Sequence, residues 1–397
     1  MTVWIVNPFD NLPLEGYRPQ RYWLMARGFA AAGHSVVYWT SDFSHATKRK
    51  RALVREVNDG FAVRLVPSMP YPKNVCLRRL VSHWRLAKSW RRLAEREAGK
   101  PDVIIASTPP LNLCSAALRF AKCHNALFVA DIMDAWPETF ERIVPKWMLY
   151  PMRCIARRIY TQADAVSAVA SRYIDLAKSY GATAPVKLSY HGIDLRDEGC
   201  GMRDEVESPS SKFKFKKGSN ISALQLETPT LRLAYIGSLG ASYDLETAIE
   251  AVREMPNAAL DIAGSGPKEA ALRKMAADCE RICFHGYLPD AEMKALLQRC
   301  DIGLVPMFPD SCVGVPYKLA DYAAAGLRVV ECLGGETRAL VECFHAGAHY
   351  EPCNVQSLVA ALSQPPDAVW DAAGFISQFD AQRIMAEYVA WVEGLKG

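Results

Sequence analysis

The sequence predicts two α/β domains, each a Rossmann-like unit with a parallel sheet, that face each other across a cleft. The chain has 397 residues, and at roughly 150 residues per domain this length suits two or three domains. Short β-branched runs alternate with helical patterns, which is typical of parallel sheets covered by helices. A polar stretch at 196–229, rich in Ser, Lys, Glu and Gly, interrupts this alternation and is expected to be a linker or surface insertion.

The first domain is expected to cover 1–195 and to begin with a buried strand. Its predicted strands are 3–6, 35–41, 52–57, 61–66, 102–106, 126–131, 165–170 and 186–190. Its predicted helices are 19–32, 111–123, 146–162 and 172–180. Asn58, Asp59 and Gly60 separate two of the strands and form a hairpin or turn signal.

The second domain is expected to cover 230–380, where the alternation resumes. Its predicted strands are 231–236, 259–263, 282–285, 302–305 and 328–331. A last helix, within 381–397, is a candidate to pack back on the first domain, which periodicity alone does not decide. Ligands of such folds bind where the carboxyl ends of the strands meet.

Composition excludes several classes of protein. Half of the residues are apolar and 23% are charged, so the chain can bury a large core and is not disordered. The formal net charge is only +4, which does not favour a nucleic-acid partner. We expect no membrane-spanning helix and no signal peptide. The 12 cysteines include no C-x-x-C pair, which favours reduced thiols in the cytoplasm.

Two glycine-rich turns follow strands of the second domain. One contains Gly237 and Ser238, and the other contains Gly264. Such turns let backbone N–H groups and a helix N-terminus approach a phosphate. Neither is a dinucleotide fingerprint or a Walker A loop, so an ordinary tight strand-to-helix turn is the alternative.

A third candidate segment begins near Pro316 and enters a helix. Lys318 and Asp321 are three residues apart and share a helix face. The lysine suits a diphosphate, and the carboxylate suits a ribose diol. The alternative is a solvated ion pair on the helix surface.

Two carboxylates, Asp131 and Asp134, end the predicted strand 126–131. Acids at a strand's carboxyl end suit catalysis in α/β enzymes, and helix capping is the alternative. We expect no metal site, because the sequence has no Asp-x-Asp and His345 and His349 lie around a predicted turn at Gly347.

The segment 73–97 holds eight basic side chains against two acidic ones, with apolar residues at helical spacing. A basic amphipathic helix with Trp84 and Trp90 suits an anionic membrane surface, which Arg78, Arg85 and Arg92 would contact. The segment 146–158 has a similar character. The alternatives are an ordinary helix packed on the sheet and, less favoured, a nucleic-acid surface.

Seven fragments, taken in chain order, resemble the glycosyltransferases of the GT-B fold, and in particular family 4. They are the loop with Gly16, DIMDAWPE (131–138), YHGID (190–194), YIGSL (235–239), AGSGP (263–267), FHGYL with CDIGLVP (284–306), and PYKLADYAAAG (316–326). The second fragment is similar to the D-x-R-D-x-W-P-E stretch of the branch that acts on polyprenyl-linked sugars.

The resemblance implies transfer of a sugar, with retention, from a nucleoside diphosphate sugar to an acceptor hydroxyl. The implied donor-binding residues are Gly16, Gly237, Ser238, Gly264, Leu288, Pro316, Lys318 and Asp321. Asp134 would orient or deprotonate the acceptor, and Arg18 and Arg21 would meet acceptor or donor phosphate. No metal or cofactor is implied. The implied partners are a glycan or polyprenyl-linked acceptor and the inner face of the cytoplasmic membrane, in polysaccharide or glycolipid synthesis.

The sequence departs from the family pattern at cation and carboxylate positions. Ser238 and about Tyr243 stand where relatives often carry Arg and Lys, which leaves Lys318 as the expected diphosphate cation. In the family's Glu-x7-Glu pattern, Val313 and Asp321 replace the two acids. These departures keep two alternatives open: a sugar-nucleotide epimerase of the same fold, and a non-catalytic protein that binds sugar nucleotides.

Overall fold

The structure is a computed structural model that describes residues 1–51, 59–74, 76–141, 143–195, 231–363 and 369–397. The expected strand 52–57, residue 58 of the turn signal and the expected linker 196–229 lie outside the described residues. The described chain forms two α/β units with parallel sheets, so the predicted fold class is confirmed.

The first sheet has seven parallel strands in the order β3-β2-β1-β4-β5-β6-β7. They are β1 (Thr2–Val6), β2 (Ser35–Ser41), β3 (Ala62–Val66), β4 (Val103–Thr108), β5 (Leu127–Ile132), β6 (Ala165–Ala168) and β7 (Val186–Leu188). Alternation along β1 serves two cores, because Trp4 and Val6 join one apolar cluster while Val3 and Ile5 join the other. The sheet is therefore buried on both faces.

Helices cover both faces of this sheet. They are α1 (Arg21–Ala31), α2 (Leu77–Arg96), α3 (Leu111–Cys123), α4 (Tyr150–Gln162) and α5 (Ser171–Ser179). Helix α3 packs between α2 and α4. Gly33 has a φ of +84° just after α1, a conformation that glycine adopts without steric cost.

The second sheet has six parallel strands in the order β10-β9-β8-β11-β12-β13. They are β8 (Leu231–Ile236), β9 (Ala258–Ala263), β10 (Ile282–Gly286), β11 (Ile302–Val305), β12 (Arg328–Glu331) and β13 (Gly347–His349). The sequence analysis did not predict β13, because this three-residue edge strand of Gly, Ala and His has no β-branched residue.

Eight helices follow β8 in the described residues. They are α6 (Leu245–Glu254), α7 (Glu269–Met275), α8 (Asp290–Leu297), α9 (Lys318–Ala324), α10 (Gly335–Cys343), α11 (Val355–Ser363), α12 (Ala372–Ser377) and α13 (Ala381–Gly394). Asp244 caps α6 by accepting a hydrogen bond from the Thr247 amide.

The last helix, α13, packs on α1 of the first domain. A Cβ added to Gly28 would lie 3.1 Å from the Met385 Cβ, so the two helices approach closely at this glycine. The Ala381 amide donates to the Ile193 carbonyl at 2.9 Å, and Tyr388 is fully buried against the first sheet. The chain thus crosses back to the first domain. None of the described helices is long and apolar enough to span a bilayer.

Candidate active site

Polar contacts join the two domains at the carboxyl ends of their strands. Glu336, in the first turn of α10, accepts hydrogen bonds from the Ser171 hydroxyl at 2.8 Å and the Tyr190 hydroxyl at 2.8 Å. Arg172 donates to the Val313 carbonyl at 2.8 Å. Each of these groups follows the end of a strand, so the carboxyl edges of the two sheets face each other, as ligand-binding α/β folds require.

The glycine turns after β8 and β9 are packed directly against each other. A Cβ on Gly264 would lie 1.8 Å from the Gly237 carbonyl oxygen, which only glycine permits. The Gly237 amide donates to the Ala263 carbonyl at 2.9 Å, and the Gly264 amide donates to Gly286 at 2.6 Å. These two N–H groups are already engaged within the protein. Close approach of the turns is therefore the first reason for the two glycines, while Ser238 is exposed beside them.

Lys318 begins α9, and its side chain is only 6% exposed. Its Nζ lies 3.7 Å from the centroid of the Tyr235 ring and 4.2 Å from that of the Tyr243 ring. Among the described residues, Nζ has no hydrogen-bond partner. Burial lowers the pKa of Lys318 well below its ordinary value, and the charge of Asp321 opposes this shift. The structure therefore holds an amine of reduced basicity in an aromatic cage beside Gly237.

Asp321 lies one helical turn beyond Lys318 and is 6% exposed. Its carboxylate forms an ion pair with the Arg18 guanidinium, which comes from the first domain. Burial raises the pKa of Asp321, and the charge of Arg18 opposes the rise. The alternative of a solvated surface pair between Lys318 and Asp321 is wrong, because both side chains are buried.

Arg18 reaches Asp321 from the loop that follows Gly16. Gly16 has a φ of +81° at the end of a short 3-10 turn. The Arg18 guanidinium also stacks 5.1 Å from the centroid of the Tyr317 ring. A small pocket lined by Arg18, Asp321 and part of α8 opens here. Arg18 therefore lies in the cleft rather than on the outer surface, and its contact with a ligand phosphate stays a proposal.

Pro316 and Leu288, two expected donor-binding residues, both lie in the second domain after strands of its sheet. Pro316 precedes Tyr317, whose hydroxyl donates to the Gly192 carbonyl of the first domain at 3.4 Å. Leu288 follows β10 and packs, half-buried, against the core.

Asp134 lies at the carboxyl edge of the first sheet, after β5. Its carboxylate accepts a hydrogen bond from the Ala135 amide at 2.8 Å. Burial raises the pKa of Asp134, while this hydrogen bond and the charge of Arg79 oppose the rise. Burial, followed by the charge of Asp134, raises the pKa of Tyr173, and the Tyr173 hydroxyl donates to the Cys312 carbonyl of the second domain at 3.3 Å. Asp134 is thus close to the junction of the domains.

Asp131 and Arg21 form a buried structural pair, which corrects the expectation that Arg21 contacts a ligand phosphate. The Arg21 Nε and Nη2 donate to Asp131 at 2.9 and 3.0 Å, and Arg21 is 1% exposed. Asp131 also accepts from the hydroxyls of Tyr22 and Ser167. Although burial pushes the pKa of Asp131 up, Arg21 holds it below its ordinary value. Neither group has capacity left for a substrate.

Helix α2 combines a buried stripe with an exposed apolar one. Trp90 is fully buried, with its ring centroid 5.6 Å from that of Phe120, so its expected membrane contact is wrong. Trp84 is 51% exposed and its ring lies 3.5 Å from the Lys88 ammonium. The other exposed apolar side chains here are Leu77, Leu80 and Val81. The exposed basic side chains include Arg78, Arg85 and Arg92.

A second exposed apolar group lies just before and at the start of α4. It consists of Ile143, Trp147, Met148 and Tyr150. Beneath them, the buried Trp136 ring contacts both His83 on α2 and Phe140. We call the two groups together the apolar surface.

Sequence reasoning missed two features of this site. The tyrosine cage had a signal in Tyr235, which directly precedes the glycine turn, but aromatic residues at strand ends are more often core. Glu336 had only its place at the start of a helix as a signal. The described residues hold no cluster of three or more His, Cys, Asp or Glu side chains suited to a metal ion.

Comparisons with known proteins identify the family of this chain. Residues 21–197 match a family model described as Glycosyltransferase Family 4, and residues 230–364 match one described as Glycosyl transferases group 1. Among curated proteins, no sequence matches significantly.

Solved structures with the same fold cover nearly the whole chain. Sucrose-phosphate synthase from Thermosynechococcus elongatus superposes with a TM-score of 0.73 at 13% identity, over 99% of this chain and 98% of its own. HepE from Anabaena in complex with UDP-glucose superposes with a TM-score of 0.64 at 15% identity, over 99% of both chains. The lipopolysaccharide outer core galactosyltransferase WaaB, in its apo form, superposes with a TM-score of 0.60 at 14% identity, over 99% of this chain and 99% of its own.

Proposed function

Because the chain belongs to the GT-B glycosyltransferases that join a family 4 domain to a group 1 domain, we propose that it transfers a sugar, with retention, from a nucleoside diphosphate sugar to an acceptor hydroxyl. One observation carries the proposal. Within the part of the chain that the structure describes, the Lys318 ammonium is buried among tyrosines and has no hydrogen-bond partner, at the cleft edge of the second domain. A cation held in this way is costly unless an anion joins it.

The donor diphosphate supplies that anion. Departure of a nucleoside diphosphate develops negative charge, which a preorganised cation in a dry site stabilises strongly. Lys318 is the catalytic cation in this proposal, and the exposed turn at Ser238 offers further contacts. Asp321, one helical turn beyond Lys318, accepts hydrogen bonds from the ribose diol and keeps its ion pair with Arg18. No metal ion is required for these contacts.

Asp134 orients the acceptor hydroxyl and takes its proton. The raised pKa of its carboxyl brings its basicity closer to neutral pH, which favours proton transfer from a hydroxyl. Its position beside the interdomain contact of Tyr173 supports an acceptor that enters from the first domain. Closure of the domains would exclude water from the reacting centre.

We also propose that the enzyme works at the inner face of the cytoplasmic membrane, in polysaccharide or glycolipid synthesis. The apolar surface is rimmed by Arg78, Arg85, Arg92 and Lys88, a combination that suits an anionic lipid surface. The enzyme would meet its glycan or polyprenyl-linked acceptor at that lipid surface. One structural neighbour, WaaB, is a lipopolysaccharide galactosyltransferase, which supports a role for this chain in a related class of pathway.

A thermal-shift panel tests the donor assignment first. UDP, GDP, ADP and their sugars are each added to the protein, and one series should raise the melting temperature, because a ligand that binds the folded state stabilises it. The preferred nucleotide sugar is then incubated with and without membrane extract. Transfer to lipid is the expected result. Isomerised product from the donor alone would favour the epimerase, and binding without turnover would favour the non-catalytic protein.

A further inference from the structure

A group of basic and aromatic side chains in the first domain takes no part in the chemistry above. Its residues come from the segments that follow β1, β2, β3 and β5 and from helix α2. The group lies beside Asp134, whose charge acts on Arg79. Its members, which we call the basic pocket, are Phe9, His45, Lys48, Tyr71, Arg79, His83 and Trp136.

Arg79 points inward from α2 among these rings. Its guanidinium lies 4.9 Å from the centroid of Trp136, 5.5 Å from that of Phe9 and 5.8 Å from that of Tyr71. Nη1 donates to the Asn74 carbonyl at 2.6 Å. The residue is half-buried, so the group is partly desolvated and still accessible from solvent.

Lys48 approaches the same ring from the loop after β2. Its Nζ lies 5.1 Å from the Tyr71 centroid and donates to the Asn74 side-chain oxygen at 2.6 Å. Arg79 and Lys48 thus converge on Asn74 and Tyr71 from two different elements.

The hydrogen-bond partners of both cations within the described chain are neutral, and no carboxylate forms an ion pair with either. Burial, followed by repulsion from Arg79, lowers the pKa of Lys48 to about 8. The same two causes lower the pKa of His83 to about 3, so this imidazole is neutral. Two positive charges therefore repel each other in a partly desolvated place. An anion between them would relieve that repulsion.

We propose that the basic pocket binds a phosphate group of a lipid-linked acceptor, through Arg79 and Lys48. The proposal rests on the proposed function and names the acceptor class. Two cations from separate elements match the charge of a phosphate better than that of a single carboxylate.

The position of the pocket argues for a lipid-borne phosphate. Leu77, Leu80 and Trp84 are exposed on the same helix that turns Arg79 inward, so the pocket opens at the edge of the apolar surface. On its other side the charge of Asp134 acts on Arg79. A lipid chain on the apolar surface and its phosphate at Arg79 would direct the attached sugar hydroxyls toward Asp134.

Calorimetric titration of the full chain with geranyl phosphate tests this assignment. Inorganic phosphate and geranic acid serve as probes for the head group alone and for a carboxylate on the same chain. Geranyl phosphate should bind at least tenfold more tightly than either probe. Tighter binding of inorganic phosphate would assign the pocket to free phosphate, and tighter binding of geranic acid would assign it to a carboxylate, and each would overturn the proposal.

Variants locate the binding. Arg79→Gln and Lys48→Gln should each weaken geranyl phosphate about tenfold or more, since each removes a charge-assisted contact. Arg119→Gln, which changes an exposed arginine on α3, should leave the affinity for geranyl phosphate unchanged. Lys48 is half-exposed, so its variant remains informative if Arg79→Gln unfolds. Unchanged affinity in Lys48→Gln and in any folded Arg79 variant would refute the pocket.

The same preparations separate this proposal from the donor assignment. Nucleotide-induced thermal shifts should be identical in wild type and Lys48→Gln, because Lys48 is far in the chain from the Lys318 cage and belongs to the other domain. Binding of geranyl phosphate with no nucleotide binding would uphold the pocket and refute the proposed glycosyl transfer. Nucleotide binding without geranyl phosphate binding would refute the pocket and uphold the assignment of a nucleotide donor.

Discussion

Replacement of Lys318 by methionine should stabilise the free protein and abolish tight donor binding. Methionine has a similar length and no charge, so it can fill the space between Tyr235 and Tyr243 without the cost of burying an ammonium group. Relief of an unsatisfied buried polar group is worth about 1–3 kcal/mol in the free energy of unfolding. For a domain of this size, each kcal/mol raises the melting temperature by about 2–4 °C.

Affinity for the nucleotide should change in the opposite direction. The lost charge-assisted contact to the diphosphate is worth about 1.5–3 kcal/mol, so the dissociation constant of the preferred nucleoside diphosphate should rise about 10- to 100-fold. The matching nucleoside lacks the diphosphate and should bind wild type and variant equally. Lys274→Met, which changes an exposed lysine on α7, is the matched control and should alter neither quantity.

The pH dependence of stability gives an independent check on the same residue. Burial lowers the pKa of Lys318, so the folded protein releases this proton at a pH where the unfolded chain still holds it. The free energy of unfolding should therefore rise with pH between the folded pKa and the unfolded value of about 10.4. Lys318→Met should lose this rise. A variant that is less stable than wild type, or that binds the diphosphate equally well, would refute the reasoning.

Three further predictions concern the ribose, the acceptor and the membrane. Asp321→Asn should weaken nucleoside and nucleoside diphosphate alike by about tenfold in calorimetry; an effect on the diphosphate alone would argue against ribose contact. Asp134→Asn should lower kcat about 10²- to 10⁴-fold with little change in donor KM. In wild type, kcat should fall with decreasing pH through a carboxyl pKa above the usual range, and an unaltered kcat in the variant would remove Asp134 from the chemistry. Reversal of Arg78, Arg85 and Arg92 to glutamate should release the protein from phosphatidylglycerol vesicles, because each reversed charge removes about 1 kcal/mol or more of binding free energy. Continued co-sedimentation would contradict membrane contact.

Local patterns were sufficient to predict most of the fold. The apolar runs of β1, β2 and β8 and the helical spacing of α3 gave the alternation of two parallel sheets, because buried parallel strands are continuously apolar. The edge strand β13 has no such run and went unpredicted.

The roles of charged residues were harder to predict, because they depend on which residues meet in space. Arg21 and Arg18 have similar neighbours in the sequence, yet Arg21 is buried on Asp131 and Arg18 crosses to Asp321 of the other domain. Trp84 and Trp90 share a helix but are six residues apart, which places them on different faces. Among the described residues, the Lys318 Nζ finds no hydrogen-bond partner because tyrosine rings surround it. Sequence spacing alone predicted a surface ion pair as readily.

A crystal structure of the protein with its preferred nucleoside diphosphate tests the central claim most directly. The account predicts a diphosphate oxygen within hydrogen-bond distance of Lys318 Nζ, with the ribose hydroxyls on Asp321. A nucleotide bound away from the cleft, with Lys318 still enclosed only by Tyr235 and Tyr243, would contradict it.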